Sequence, residues 1–105
     1  MYGDRAYISR LVDIYGNALS ERQRDVIDLY YNEDLSLAEI SEHCGITRQG
    51  VRDAIRHGVE TLNGLENALG FCKKSENISA LASDIANCTD IESAKHIADL
   101  ILGEL

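Results

Sequence analysis

The chain of 105 residues contains no proline, so the commonest helix breaker is missing from every segment. Alternating runs of β-branched and polar residues are scarce as well, which predicts no strand and places the fold in the all-α class. Long apolar runs are also absent. The N-terminal MYGDRAYISR has no leader-like core and no window reaches the length of a membrane span, so a cytoplasmic protein with no membrane partner is expected. The three cysteines, Cys44, Cys72 and Cys88, are odd in number and widely spaced, which excludes a disulfide framework and suits buried or free thiols in a reducing compartment. Basic residues are in deficit: ten Lys and Arg against eighteen Asp and Glu leave a net charge of −8, a poor balance for holding phosphate at long range.

Signs of catalysis are missing too. His43, Cys44 and His57 lack the paired spacing of a metal site, and the carboxylates are scattered along helix exteriors with nothing to mark an acid–base pair. A Gly-rich phosphate loop has no strand to follow. No enzyme, metal site or cofactor is predicted.

What the chain does contain is concentrated in LSLAEISEHCGITRQGVRDAIRHGV, residues 35–59. Ser36 and Glu39 form a capping box, with Leu35 and Ile40 placed as a hydrophobic staple across the helix start. The short helix from Leu37 to about His43 buries Leu37, Ile40 and Ala38, and Gly45 follows where a C-terminus needs positive φ. Thr47 then caps a second helix, and Ile46 with Val51 repeats the staple. Two helices this closely joined form a helix-turn-helix. On the second helix Arg48, Arg52 and Arg56 recur every fourth residue, with Gln49 at the edge of their stripe. The stripe lies roughly 110° around from the apolar seam of Val51, Ile55, Leu62, Leu65 and Leu69, so burying the seam leaves the arginines outside. In the major groove Arg suits guanine edges and phosphates, and Gln suits adenine. The competing reading is a solvated face; it applies to Arg56, which has Glu60 four residues on. Arg48 and Arg52 have no acidic residue three or four positions away.

The charge is distributed in favour of this motif. Residues 1–34 carry four basic and seven acidic side chains (−3), residues 35–74 five and five (0), and residues 75–105 one and six (−5). Salt-sensitive binding of moderate strength is therefore expected.

Around the motif, Ile8, Leu11, Val12 and Tyr15 mark a first helix over Ala6 to Tyr15, ended by Gly16 and Asn17. Ser20 with Gln23 opens the next as a second capping box, with Val26, Ile27, Leu29, Tyr30 and Tyr31 on its buried side. Arg22 and Arg24 sit in its first turn against the helix dipole, an arrangement relieved by an anionic partner or by the local pairs Arg22–Asp25 and Arg24–Asp28. Tyr30 and Tyr31 have no basic sequence neighbours and read as packing residues. The second helix of the motif runs on to about Leu69 and Gly70. Its seam of Val51, Ile55, Gly58, Leu62, Leu65 and Leu69 has heptad spacing, with close helix approach expected at Gly58. After a polar break at Lys73 to Asn77, a short helix carries Ile78, Leu81, Ala82 and Ile85. Thr89 with Glu92 reads as a third capping box before a last helix carrying Ile91, Ala94, Ile97, Ala98, Ile101 and Leu102. The expected architecture is a bundle of about six helices: a helix-turn-helix domain over 1–74, then a helical hairpin over 75–105 that acts as a lid or a dimerisation element, with a homodimer predicted.

From Leu11 to Phe71, and most specifically in LYYNEDLSLAEI and GITRQGVRD, the chain resembles the YlxM-like small bacterial proteins. Their helix-turn-helix is similar to region four of sigma factors. The resemblance implies a regulatory or accessory role in the signal recognition particle pathway, with components of that particle among the partners. Carried across position by position, it puts Thr47, Arg48, Gln49 and Arg52 where such proteins touch DNA, and Ser36 and Arg22 where they touch phosphates. A nucleic-acid-binding regulator is thus expected, with DNA ahead of RNA. The other readings are an RNA- or protein-binding accessory of the targeting particle, and a helical dimer whose arginines are only solvated.

Overall fold

A computed structural model describes residues 4–105, and among the described residues every regular element is a helix, with no strand. The elements are α1 (Arg5–Tyr15), a single 3₁₀ turn (Gly16–Ala18), α2 (Glu21–Tyr31), α3 (Leu37–Cys44), α4 (Arg48–Leu69), α5 (Phe71–Asn87) and α6 (Ile91–Glu104). They fall into two compact units that divide at Gly70.

The first unit is organised around α4, which packs against α1, α2 and α3. Ile8 and Leu11 from α1, Val26 and Ile27 from α2, Ile40 from α3 and Val51, Ile55 and Leu62 from α4 lose essentially all solvent exposure. Burial of each such side chain contributes roughly 1.5–3 kcal/mol, which makes this cluster the main source of the unit's stability. Gly58 lies where α4 crosses α2. A methyl built on it would overlap Cδ1 of Ile27, so the α2 side chain packs directly onto the α4 backbone and a larger residue here would have to displace it. Towards the end of α4 the predicted seam leaves the core, with Leu65 half-buried and Leu69 58% exposed. Glu66 accepts a 2.7 Å hydrogen bond there from the hydroxyl of Tyr15.

Arg5 closes the far end of α2. Its guanidinium donates to the carbonyl of Tyr30 at 2.7 Å, pairs with Asp34 at 3.2 Å and lies 5.1 Å over the Tyr30 ring and 6.0 Å over that of Tyr31. The two tyrosines, read from sequence as lacking basic neighbours, acquire one from 25 residues away. Asp34 has φ 57°, a left-handed conformation that a non-glycine residue adopts at some cost, and with it the chain turns from α2 toward α3.

The second unit, Gly70–Leu105, is the hairpin of α5 and α6. Gly70 has φ 63°, and α5 begins directly after it, so the expected polar break at Lys73 to Asn77 is an unbroken part of a 17-residue helix. Nothing in that segment breaks a helix: it has no glycine or proline, and its polar side chains alternate exposed and half-buried positions at helical spacing. The division between units accordingly falls at Gly70 and not after Lys74. The cap of α6 also differs. Asp90, one residue beyond the expected Thr89, accepts from the backbone N–H of Ser93 at 3.1 Å. A carboxylate is the stronger acceptor for an orphan helix N–H, and hydrogen bonds from the Ser93 hydroxyl and backbone hold the Asp90 carboxyl below its ordinary pKa. Along α6, Ala94, Ile97 and Ile101 are half-buried, while Ile91, Leu102 and Leu105 are 70%, 67% and 84% exposed.

Candidate nucleic-acid interface

The two helices of the motif are set by local chemistry at their ends. The Ser36 hydroxyl accepts from the Glu39 N–H at 3.1 Å, and the Glu39 carboxylate accepts in return from the Ser36 N–H at 3.1 Å. These bonds, the backbone one foremost, lower the pKa of Glu39. Gly45 ends α3 at φ 68°, where its N–H and that of Ile46 both return to the Ser41 carbonyl, satisfying the turn between helices. The Ser41 hydroxyl donates to the Ile46 carbonyl and stiffens the same turn. Thr47 then caps α4 through its side-chain oxygen, which accepts from Gly50 N–H at 2.9 Å. Ile40 and Val51, the inner members of the two expected staples, have no exposure, and Leu35 and Ile46 are half-buried. The turn is short, and both helices lean on one core, so α4 presents its first three turns at a fixed attitude.

The arginines on that surface are not equivalent. Arg48 and Arg52 are exposed, and among the described residues neither has a hydrogen-bonding or ionic partner. Arg56 does not reach Glu60; it pairs with Asp53 at 3.3 Å, three residues back, and lies 3.5 Å from the His57 ring nitrogen. Gln49 donates its side-chain N–H to the same Asp53 oxygen at 3.1 Å. Two cations of the predicted stripe therefore have no partner among the described residues, and the third is paired within the helix.

Ser36 and Thr47 are exposed, but each is engaged as a helix cap. Arg22, on α2, donates to the carbonyl of Cys44 at 3.3 Å and so ties the start of α2 to the last residue of α3. It borders a cavity of about 420 Å³ together with Asp25, Asp28, Leu29, His43 and Cys44. Two carboxylates beside one guanidinium make that recess a weak receptor for a phosphate. The suggested local pairs of α2 do not form: Arg24 instead donates to Asn17 at 2.6 Å, its guanidinium close above Gly16.

Sequence reasoning missed Asp53. Its spacing, four residues after Gln49 and three before Arg56, is the signal that could have found it. Arg5 had no comparable local signal. Cys44, Cys72 and Cys88 are unpaired, and among the described residues no three His, Cys, Asp or Glu side chains gather as a metal site would require. No helix of the described residues is long and apolar enough to cross a membrane.

Comparison with known proteins agrees with this architecture. Residues 3–100 match the model of a family described as "Putative helix-turn-helix protein, YlxM / p13 like". Similar proteins include a UPF0122 protein of Clostridium kluyveri, 44% identical over 87 residues that cover 83% of this chain and 78% of that one. Another is from Desulforamulus reducens, 42% identical over 79% of this chain and 71% of its own length. A third, from Caldanaerobacter subterraneus subsp. tengcongensis, is 38% identical over 84% and 75% of the two chains.

Proposed function

The chain belongs to the YlxM / p13-like helix-turn-helix family, and from that premise we propose that it is a nucleic-acid-binding regulatory protein that lays the first turns of α4 in the major groove of DNA. The observation that carries this reading is the pair Arg48 and Arg52, exposed and without partners among the described residues on the second helix of a capped helix-turn-helix. Two exposed guanidiniums on a rigid helix, with no carboxylate partner among the described residues, are placed to bind an anion. Thr47, Arg48, Gln49 and Arg52 form the DNA-facing set, with Arg56 at its edge. Ser36, engaged as a cap, and Arg22, beside two carboxylates, are the weaker members of the set for backbone contacts. Dimeric helix-turn-helix proteins bind two half-sites, and a homodimer here would supply the second α4. The protein acts in the cytoplasm, with an accessory or regulatory role in the signal recognition particle pathway.

Exchange of Arg48 and Arg52 together for Glu is the test. The expected result is loss of duplex binding with the circular dichroism spectrum and Tm nearly unchanged, because both positions are exposed. A double variant that binds DNA as the parent does would overturn the reading. Retention of a stem-loop RNA by a parent that ignores duplex DNA would move the ligand to RNA.

A further inference from the structure

An acid borders the surface on which α4 should meet an anion. The buried residues Val51, Ile55, Gly58, Val59 and Leu62 define the inner side of this helix. At about 100° per residue, the direction opposite their mean passes through Asp53, with Gln49 roughly 40° and Arg56 roughly 60° to one side, and Arg52 and Arg48 further round on the same flank. Asp53 thus lies nearest the outward direction in the first two turns, half-buried between the exposed Gln49, Arg52 and Arg56, with its side chain 43% exposed. One of its oxygens receives both the Gln49 amide at 3.1 Å and the Arg56 guanidinium at 3.3 Å.

We infer that Asp53 is the positioning residue that sets base preference at this interface, by fixing the amide of Gln49 in one orientation. A free glutamine on a helix surface can turn its amide over and offer donor or acceptor to whatever edge it meets. With one N–H held by Asp53, the Gln49 amide group stays on the carboxylate side. Its carbonyl oxygen and second N–H then form an acceptor–donor pair, the complement of the N6 amino group and N7 of adenine. The carboxylate has a second effect. It opposes phosphate and occupies Arg56, so attraction that does not depend on sequence is held down while the adenine contact is kept. The inference rests on the proposed reading of α4 as a DNA-facing helix.

The test uses the full chain and three variants, Gln49→Ala, Asp53→Ala and Asp53→Asn. Duplexes selected from a randomised pool by the parent would be titrated by fluorescence anisotropy, each A·T pair being changed to G·C in turn, beside an unselected duplex. For the parent, one such change should weaken binding by at least about fivefold. Gln49→Ala should abolish that dependence without tightening the hold on the unselected duplex. Asp53→Ala should abolish it and bind the unselected duplex more tightly, with a steeper salt dependence. Asp53→Asn, which keeps an acceptor but not the charge, should retain the preference and still gain on the unselected duplex. A merely structural role for Asp53 would not separate these two readouts. Unchanged preference at every pair in Asp53→Ala would overturn the inference and leave the DNA reading standing, whereas a parent that binds no duplex would overturn both.

Discussion

Two glycines of α4 show how much a single hydrogen in place of a methyl decides. Gly58 faces Ile27 across the α2–α4 crossing with no room for a Cβ, while Gly64, six residues on, has nothing within 4 Å. Alanine gains about 1 kcal/mol over glycine in a helix interior, and Gly64→Ala should show that gain as a higher urea midpoint. At Gly58 the same gain meets an overlap with a side chain that is itself without exposure, and overpacking of this kind costs about 1–3 kcal/mol. Gly58→Ala should therefore destabilise, by up to about 2 kcal/mol net. The clash is with Cδ1 of Ile27, the atom that Ile27→Val removes, so the double variant should lose less than the two single ones together. Strict additivity in urea unfolding would show that the close approach is not what Gly58 provides. The same contrast in partners separates the arginines, because Arg56 is held by Asp53 and Arg48 and Arg52 are not.

At the scale of the helix, the caps carry the motif's geometry and can be tested by acid. Ser36→Ala should cost about 1 kcal/mol in urea unfolding, since the Glu39 N–H loses its acceptor. Glu39 has a folded pKa below its ordinary value, so its contribution is complete above the ordinary carboxylate range and is lost as the pH falls through the lowered folded value. Glu39→Ala should thus be less stable than the parent at pH 7, and the gap should narrow below about pH 4. A gap that does not change between pH 7 and pH 3 would remove the charge from the explanation. Caps of this type were legible in the sequence because they are contacts over three residues: Ser20, Ser36, Thr47 and the left-handed Gly45 all lie where local chemistry puts them. The start of α6 was legible only to within one residue, since Thr89–Glu92 and Asp90–Ser93 offer the same spacing and the ionised acceptor prevails. Continuity of α5 was hidden because a polar run without glycine or proline reads as a gap when it is a solvated helix face. Arg5 with Tyr30 and Asp34, and Arg22 with the Cys44 carbonyl, depend on tertiary proximity that no local pattern announces.

For the whole molecule, the outer stripe of α6 bears on assembly. Ile91, Ala98, Leu102 and Leu105 follow one another at spacings of seven, four and three, which is the repeat of a helix seam, and all four are exposed. The neighbouring line of Ala94, Ile97 and Ile101 is half-buried in the hairpin, so the exposed stripe is a second apolar face. A 14-residue helix that leaves Ile91 70% and Leu102 67% exposed pays a hydration penalty that a partner of the same shape would remove on both sides of a two-fold axis. A homodimer through α6 is the expected state, and it would bring two α4 helices into one particle as half-site recognition requires. It would also answer the acidic balance of the chain: two sets of Arg48 and Arg52 on one duplex add their phosphate contacts, and the salt dependence should steepen with dimerisation. Ile91→Glu with Leu102→Glu in the full chain should give a monomer by light scattering at micromolar concentration, with helix content unchanged because both positions are exposed. The monomer should retain weak duplex binding with a shallower salt slope. A parent that is monomeric in the same measurement, or a double variant that stays dimeric, would rule out α6 as the dimer face.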